Sequence, residues 1–303
     1  MNQDRKGKLN IWTILTILFV IGALVCIGIF IKTQVDQNKR AQDQSNLVKV
    51  VEPTEKPGNG EDVSGSSETD ETTDDGTQAS SVVPESTPEP LDPFEASVKQ
   101  IEEAGVEIPN LEVDLASLQE TENPDIYAWI YIPGTKVNYP VLQHPTDDSH
   151  YLNYNLDGSK GYPGCIYSEK TYNGKDFTDV NTVLYGHNMK NGTMFGSLHK
   201  YEDEEFFYAN RYIYVYTQDR LLAYKIFAAY EYSNEHLLYN HNFEDLYSFS
   251  YFFTMAKARK SMHSIFDEDV ILTGEEHIIT LSTCINGKPN NRFLVQGVLM
   301  NEE

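Results

Sequence analysis

Cysteine is nearly absent from this 303-residue chain, which has only Cys26, Cys165 and Cys284. Cys26 lies in an apolar run where it cannot easily reach the other two, so a disulfide framework is excluded. Basic residues are also scarce, with 23 Lys and Arg against 46 Asp and Glu and a formal net charge of -23. The deficit extends to residues 96–303, which carry 30 acidic and 15 basic side chains. A phosphate backbone needs clustered cations to displace its counterions, so nucleic acid is not an expected partner. There is no H-E-x-x-H or C-x-x-C spacing, and neither a metal nor another cofactor is expected.

Charge is missing altogether from Ile11 to Ile31, IWTILTILFVIGALVCIGIFI, a run of 21 residues. At roughly 1.5 Å per residue such a helix spans a hydrocarbon core of about 30 Å, and it is predicted to cross a membrane. Lys32-Thr33-Gln34 follows the run in place of a small-x-small cleavage site. Arg5, Lys6 and Lys8 precede it, which points to a cytoplasmic N-terminus and an extracellular remainder, although Lys32, Lys39 and Arg40 flank the other end. From about Val50 to Pro93 aromatic residues are almost absent, and acidic residues stand against Lys56 alone. Such a segment cannot bury enough apolar surface to offset the entropy of ordering it, and like charge extends it. The expected organisation is a cytoplasmic N-terminus at 1–10, a membrane helix at 11–31, a disordered acidic linker at 32–93 and a catalytic domain at 94–303. Residues 94–303 are expected to fold without the rest.

Beyond Pro93 the composition turns globular. FEASVKQIEEAG and VDLASLQETENPDIYAW space apolar residues by three and four, which predicts two short amphipathic helices, the second closed by Asn123-Pro124. Eight short runs rich in Tyr, Val and Ile follow: WIYIPGT, NYPVLQ, GCIYSEK, TVLYGHNM, RYIYVYT, LLAYKIFAAYEY, HIITLSTC and RFLVQGVLM. Bounded by Gly, Pro, Asn and Asp, they predict a mainly β fold, an eight-stranded and nearly closed barrel. Some 44 residues separate AAYEY from HIITL and contain a helical stretch within about 243–262. An insertion of this size is expected to form a wall or lid beside the barrel mouth.

Three residues carry candidate chemistry. Cys284 ends an apolar strand and precedes the polar loop INGKPNN, which places its thiol at a strand terminus open to solvent. A free cysteine is more often a small buried hydrophobe, the reading that suits Cys165 in GCIYSEK. His187 follows the strand TVLYG, with Gly186 giving the backbone freedom to turn. The other histidines, 144, 150, 199, 236, 241, 263 and 277, mostly lie in polar segments where a solvated ring is the expected state. An imidazole beside a thiol makes thiolate available near neutral pH. Arg292 opens the strand after the Cys284 loop, so an antiparallel return would set its guanidinium beside the thiol, where a fixed cationic fork can stabilise an oxyanion.

Together, Thr280-Leu281-Ser282-Thr283-Cys284, Arg292 on the next strand and His187 in LYGHNM resemble the sortase family over essentially residues 94–303. WIYIPGTKVNYPVLQ and HYLNYNLDG are similar to the opening segments of class B members, which have N-terminal helices and a helix before the cysteine strand. The resemblance implies a cysteine transpeptidase that cleaves an LPxTG- or NPxTx-like sorting motif of secreted proteins after Thr. It would form a thioester on Cys284 and pass the acyl group to a lipid-linked peptidoglycan-precursor amine. It further implies that His187 protonates the leaving amine, that Arg292 stabilises the carbonyl and that Ser282 and Thr283 contact the peptide; Asn153 is a candidate for the groove wall. The alternatives are a pilin-polymerising enzyme with a protein lysine as acceptor, an L,D-transpeptidase and a non-enzymatic anchored surface protein. The S-H-G-C context of L,D-transpeptidases is missing here, because Thr283 precedes Cys284.

Overall fold

The computed structural model describes residues 10–49, 91–259 and 261–301. Arg5, Lys6 and Lys8, on which the expected orientation rests, lie outside these residues, as does the acidic segment 50–90. Helix α1 (Ile11–Ser45) carries the apolar run, whose large side chains are exposed, and it is long and apolar enough to cross a membrane.

The helix does not stop at Ile31, where the linker was expected to begin. Lys32 to Ser45 contains no Gly or Pro and holds four Gln, two Lys, Arg40 and Ala41, residues that lose little on entering a helix. Tertiary contacts hold these last turns in place. Ala41 is fully buried, Gln44 Nε2 donates to the Gly164 carbonyl at 3.0 Å, and Asn138 Nδ2 donates to the carbonyls of Ser45 and Val48 at 3.1 and 3.0 Å. Val48 is buried in the same apolar cluster as Ile101, Leu118 and Trp129. Fully burying a Val-sized side chain stabilises by about 1.5–3 kcal/mol. A chain that begins at residue 94 is therefore expected to melt at a lower temperature than one that begins at Gln34. Equal melting temperatures would show that the docked turns contribute nothing.

Helices α2 (Pro93–Glu103) and α3 (Leu115–Thr121) follow, each capped by an aspartate: Asp92 accepts from Phe94 N and Asp114 from Ser117 N. Then come β1 (Ile126–Tyr131), β2 (Asn138–Leu142), α4 (His150–Asn153), β3 (Ile166–Tyr167) and β4 (Asn181–Tyr185). A 3-10 helix (Gly196–Glu202) and α5 (Glu204–Ala209) lead into β5 (Tyr212–Tyr216) and β6 (Leu221–Ser233). The insertion holds α6 (Leu237–Asn240), α7 (Leu246–Ala258) and β7 (Ile265–Phe266), and β8 (Ile278–Ile285) and β9 (Lys288–Leu299) close the chain.

Eight strands form a closed ring in the order β5-β1-β2-β3-β4-β8-β9-β6, with β6 returning to β5 and β7 added at the edge of β6. Closure leaves few unpaired edges. All eight predicted runs supply a strand. The interior is filled by alternate residues, among them Ile130, Leu184, Ile279, Leu281, Phe293 and Val295. The opposite faces pack outward, Trp129 and Tyr214 against α2 and α3, and Phe227, Ile278 and Leu294 against Phe249, Phe252 and Phe253 of α7. Helix α7 thus covers the outer barrel wall and is not a lid over a mouth.

Candidate active site

Strand alternation decides where Cys284 points. Ile279 and Leu281 face the interior, so Ile278, Thr280, Ser282 and Cys284 belong to the outer face. The thiol is exposed on the barrel's outer wall, near the end of β8 and open to solvent. Directly opposite on β9 is Arg292, its Cα partner in the antiparallel ladder. The hairpin turns at Asn286-Gly287, with Gly287 at a φ of 77°, and Ile285 pairs with Lys288. Pro289, Asn290 and Asn291 then bulge before the register resumes at Arg292. Arg292 Nη1 donates to the carbonyls of Pro289 and Asn291 at 3.1 and 3.0 Å, bracing that bulge. Nε and Nη2 have no partner among the described residues and remain available to an oxygen in the cleft.

His187 reaches the thiol through the other edge of β8. Strands β4 and β8 run parallel, with register from Asn181↔Ile278 to Tyr185↔Ser282. Gly186 N donates to Ser282 O at 3.2 Å and Thr283 Oγ1 donates to Gly186 O at 2.9 Å, so His187 comes level with Cys284. Gly186 was expected to supply backbone freedom, but its φ is not positive. It supplies space: a Cβ there would lie 2.5 Å from Ile166 Cδ1 and 2.8 Å from the Phe195 ring. The half-buried His187 ring places Nε2 at 2.7 Å from the Leu152 carbonyl and lies 4.6 Å from the Tyr162 ring. A carbonyl only accepts, so Nε2 carries the hydrogen and a neutral ring keeps its lone pair on Nδ1. Burial pushes the His187 pKa below its ordinary 6.5, opposed by the hydrogen bond to Leu152.

A cleft of about 320 Å³ gathers these residues. It is lined by Leu152, Tyr167, Tyr185, His187, Cys284 and Arg292, and by residues 234–237 of the insertion. Ser282 and Thr283 line it as well, but the Thr283 hydroxyl is committed to Gly186. Asn153 is exposed at the end of α4 and is not among the lining residues; its neighbour Leu152 is. Cys165 is elsewhere, buried beneath α4, with Sγ 3.6 Å from the Tyr154 carbonyl and its thiol pKa pushed up by burial.

Two histidines expected to be solvated are instead engaged. His236 Nε2 lies 2.7 Å from Glu169 Oε2, and His199 Nδ1 lies 2.6 Å from Glu202 Oε1. The second pair has an i,i+3 spacing, His199-x-x-Glu202, which is legible once a helix is placed there.

Residues 130–300 match the family model described as the sortase domain. The chain belongs to the sortase family. Sortases are cysteine transpeptidases, and the relatives of this one are of class B. It is similar to Sortase B of Listeria monocytogenes serovar 1/2a (strain ATCC BAA-679 / EGD-e), 33% identical over 189 residues that cover 62% of this chain and 74% of that protein. The solved Staphylococcus aureus sortase B-substrate complex matches with a TM-score of 0.54 and 26% identity over 69% of this chain and 93% of that one. Clostridium perfringens sortase B matches with a TM-score of 0.53 and 29% identity over 61% of this chain and 99% of that one.

The lowered His187 pKa carries a sign for this sortase. If thiolate and imidazolium form the reactive pair, a lower histidine pKa leaves less imidazolium at a given pH and moves the acidic limb of kcat/KM below the ordinary 6.5. Tyr162→Ala uncovers the ring, weakens the desolvation and is expected to move that limb upward. A pH–rate profile of the two proteins checks this, and an unshifted limb would remove Tyr162 from the explanation.

Proposed function

We propose that this sortase cleaves an LPxTG- or NPxTx-type sorting motif of secreted proteins after its threonine and transfers the acyl group to an amine of a lipid-linked peptidoglycan precursor. The observation that carries the reading is the double register around β8, with Arg292 opposite Cys284 on one edge and His187 level with it on the other. Cys284 Sγ, as thiolate, attacks the threonine carbonyl carbon, and the electron pair moves to the oxygen, where the Arg292 guanidinium stabilises it. Collapse forms the thioester and breaks the C–N bond, and His187 Nδ1 gives its proton to the leaving amine. The acceptor amine then loses a proton to His187 and displaces Sγ, forming the new amide and restoring the thiolate and imidazolium.

The S. aureus relative has been solved as a substrate complex, which supports a peptide in the equivalent groove of this chain. Helix α1 supports an anchor in the cell membrane, and Arg5, Lys6 and Lys8 before it support a cytoplasmic N-terminus with the barrel outside, where secreted substrates emerge and wall precursors are displayed. The test is a panel of fluorogenic sorting-motif peptides with the full chain in detergent, first alone and then with peptide amines as acceptors. Cleavage of one motif together with ligation to an amine is the expected result. A chain that cleaves none of them would overturn the reading.

A further inference from the structure

The carbonyl of Cys284 is held by a device separate from His187 and Arg292, the two residues that flank its thiol. On the β4 side of β8, Ser282 O accepts from Gly186 N. In an uninterrupted parallel ladder the next carbonyl on that edge, Cys284 O, would accept from the backbone N–H of residue 188. The chain leaves the ladder at His187, whose carbonyl accepts from Phe195 N at 3.1 Å, and Asn188 bridges to Met194 instead. A side chain fills the vacated place: Asn188 Nδ2 donates to Cys284 O at 2.8 Å, with His199 Nε2 packed beside it, 3.1 Å from the same oxygen.

The hydrogens can be assigned from the partners. Cys284 O only accepts, which fixes the Asn188 amide with its nitrogen toward the strand. Glu202 Oε1, 2.6 Å from His199 Nδ1, accepts its hydrogen and leaves the lone pair of the neutral ring on Nε2. That lone pair accepts the second N–H of Asn188 Nδ2, at 3.0 Å. The chain of bonds runs from Glu202 through His199 and Asn188 to Cys284 O; in this tautomer His199 Nε2 acts on that carbonyl only through Asn188, and its own 3.1 Å approach to Cys284 O is a contact and not a hydrogen bond. Its members also touch the other two segments, because Asn188 follows His187 and the His199 ring stacks at 4.8 Å on Phe293, the neighbour of Arg292. The loop between them is firmly held: Met194 is fully buried at a φ of 52°, with its N–H donating to Tyr139 Oη at 3.0 Å.

We propose that Asn188 and His199, oriented by Glu202, are positioning residues that pin the backbone of the nucleophile to the His187 segment, so that thiol and imidazole keep a fixed separation through both acyl-transfer steps. The proposal rests on Cys284 being the nucleophile. It gives the side chains that replace the broken ladder a role in turnover, with no contact to the peptide.

Two variants test it in the full chain with a fluorogenic NPxTx-type peptide. Asn188→Asp keeps the shape but turns a donor toward Cys284 O and His199 into an acceptor. His199→Phe keeps the stack on Phe293 and removes both ring nitrogens. A displacement of about 1 Å at a reacting group costs up to about a hundredfold, so each variant is expected to lower kcat by about ten- to a hundredfold. KM is expected to stay within about twofold of the parent, because no peptide contact is lost. A kcat near the parent value in both, or a loss that only follows the unfolded fraction in a thermal melt, would overturn the proposal. Should one variant fail to fold, the other decides alone. Cys284→Ala in the same assay separates the premises: if it still cleaves, the nucleophile is wrong, and if it is inactive while both variants turn over normally, only the positioning role fails.

Discussion

Cys284→Ala abolishes peptide cleavage and amine transfer, while Cys165→Ala keeps both: this is the largest effect expected of any single substitution. The contrast follows from environment, since both residues are free thiols in the same fold. Cys284 is exposed in a cleft that also holds an imidazole and a guanidinium. Cys165 is buried in the cluster that it shares with residues of α2, α3 and α4, and burial raises its pKa and suppresses the thiolate. The two alanine variants, assayed for cleavage and checked for folding by thermal melting, decide the matter. An active Cys284→Ala beside an inactive but folded Cys165→Ala would reverse the assignment. His187→Ala is expected to fall nearly as far as Cys284→Ala, because in the proposed mechanism it removes the group that protonates the leaving amine and deprotonates the acceptor.

Arg292→Ala and Arg292→Lys are both expected to lose about 2.7–4 kcal/mol of transition-state stabilisation, about 10²–10³ in kcat. Lysine keeps the charge, so its failure would have to come from shape. In the native arrangement Nη1 spans two carbonyls of the β9 bulge, which leaves Nε and Nη2 for the oxyanion. An ammonium is one point charge and cannot brace the bulge and face the cleft from the same atom. Measurement of kcat and KM for the three proteins separates the readings. A lysine variant with parental kcat would show that charge alone suffices and that the fork has no role.

The barrel was largely legible because its signals are local. Each of the eight strands is a short run of alternating or apolar residues between turn formers, and that pattern survives any tertiary arrangement. The ninth strand, Ile265–Phe266, was missed because two residues carry no periodicity, and its pairing depends on the edge that β6 offers. Cys284 and Arg292 were paired in advance because only the seven-residue polar loop separates them, so an antiparallel return brings them together. His187 is 97 positions from Cys284, and its placement rested on the family resemblance. No spacing encodes a parallel pairing between β4 and β8.

Composition and periodicity within a few neighbouring residues were enough for the apolar run at Ile11–Ile31, the eight β runs, the two short helices after Pro93 and the place of Cys284 at the end of a strand. Long-range packing supplied the rest. It extended α1 to Ser45 by burying Ala41 and Val48, set the cleft on the outer wall through the parity of β8, and assigned the thiol's imidazole neighbour through a parallel register. It also brought Asn188, His199 and Glu202 beneath Cys284. These depend on which strand edges and surfaces meet after closure, and contacts between residues distant in the chain leave no periodic trace in it.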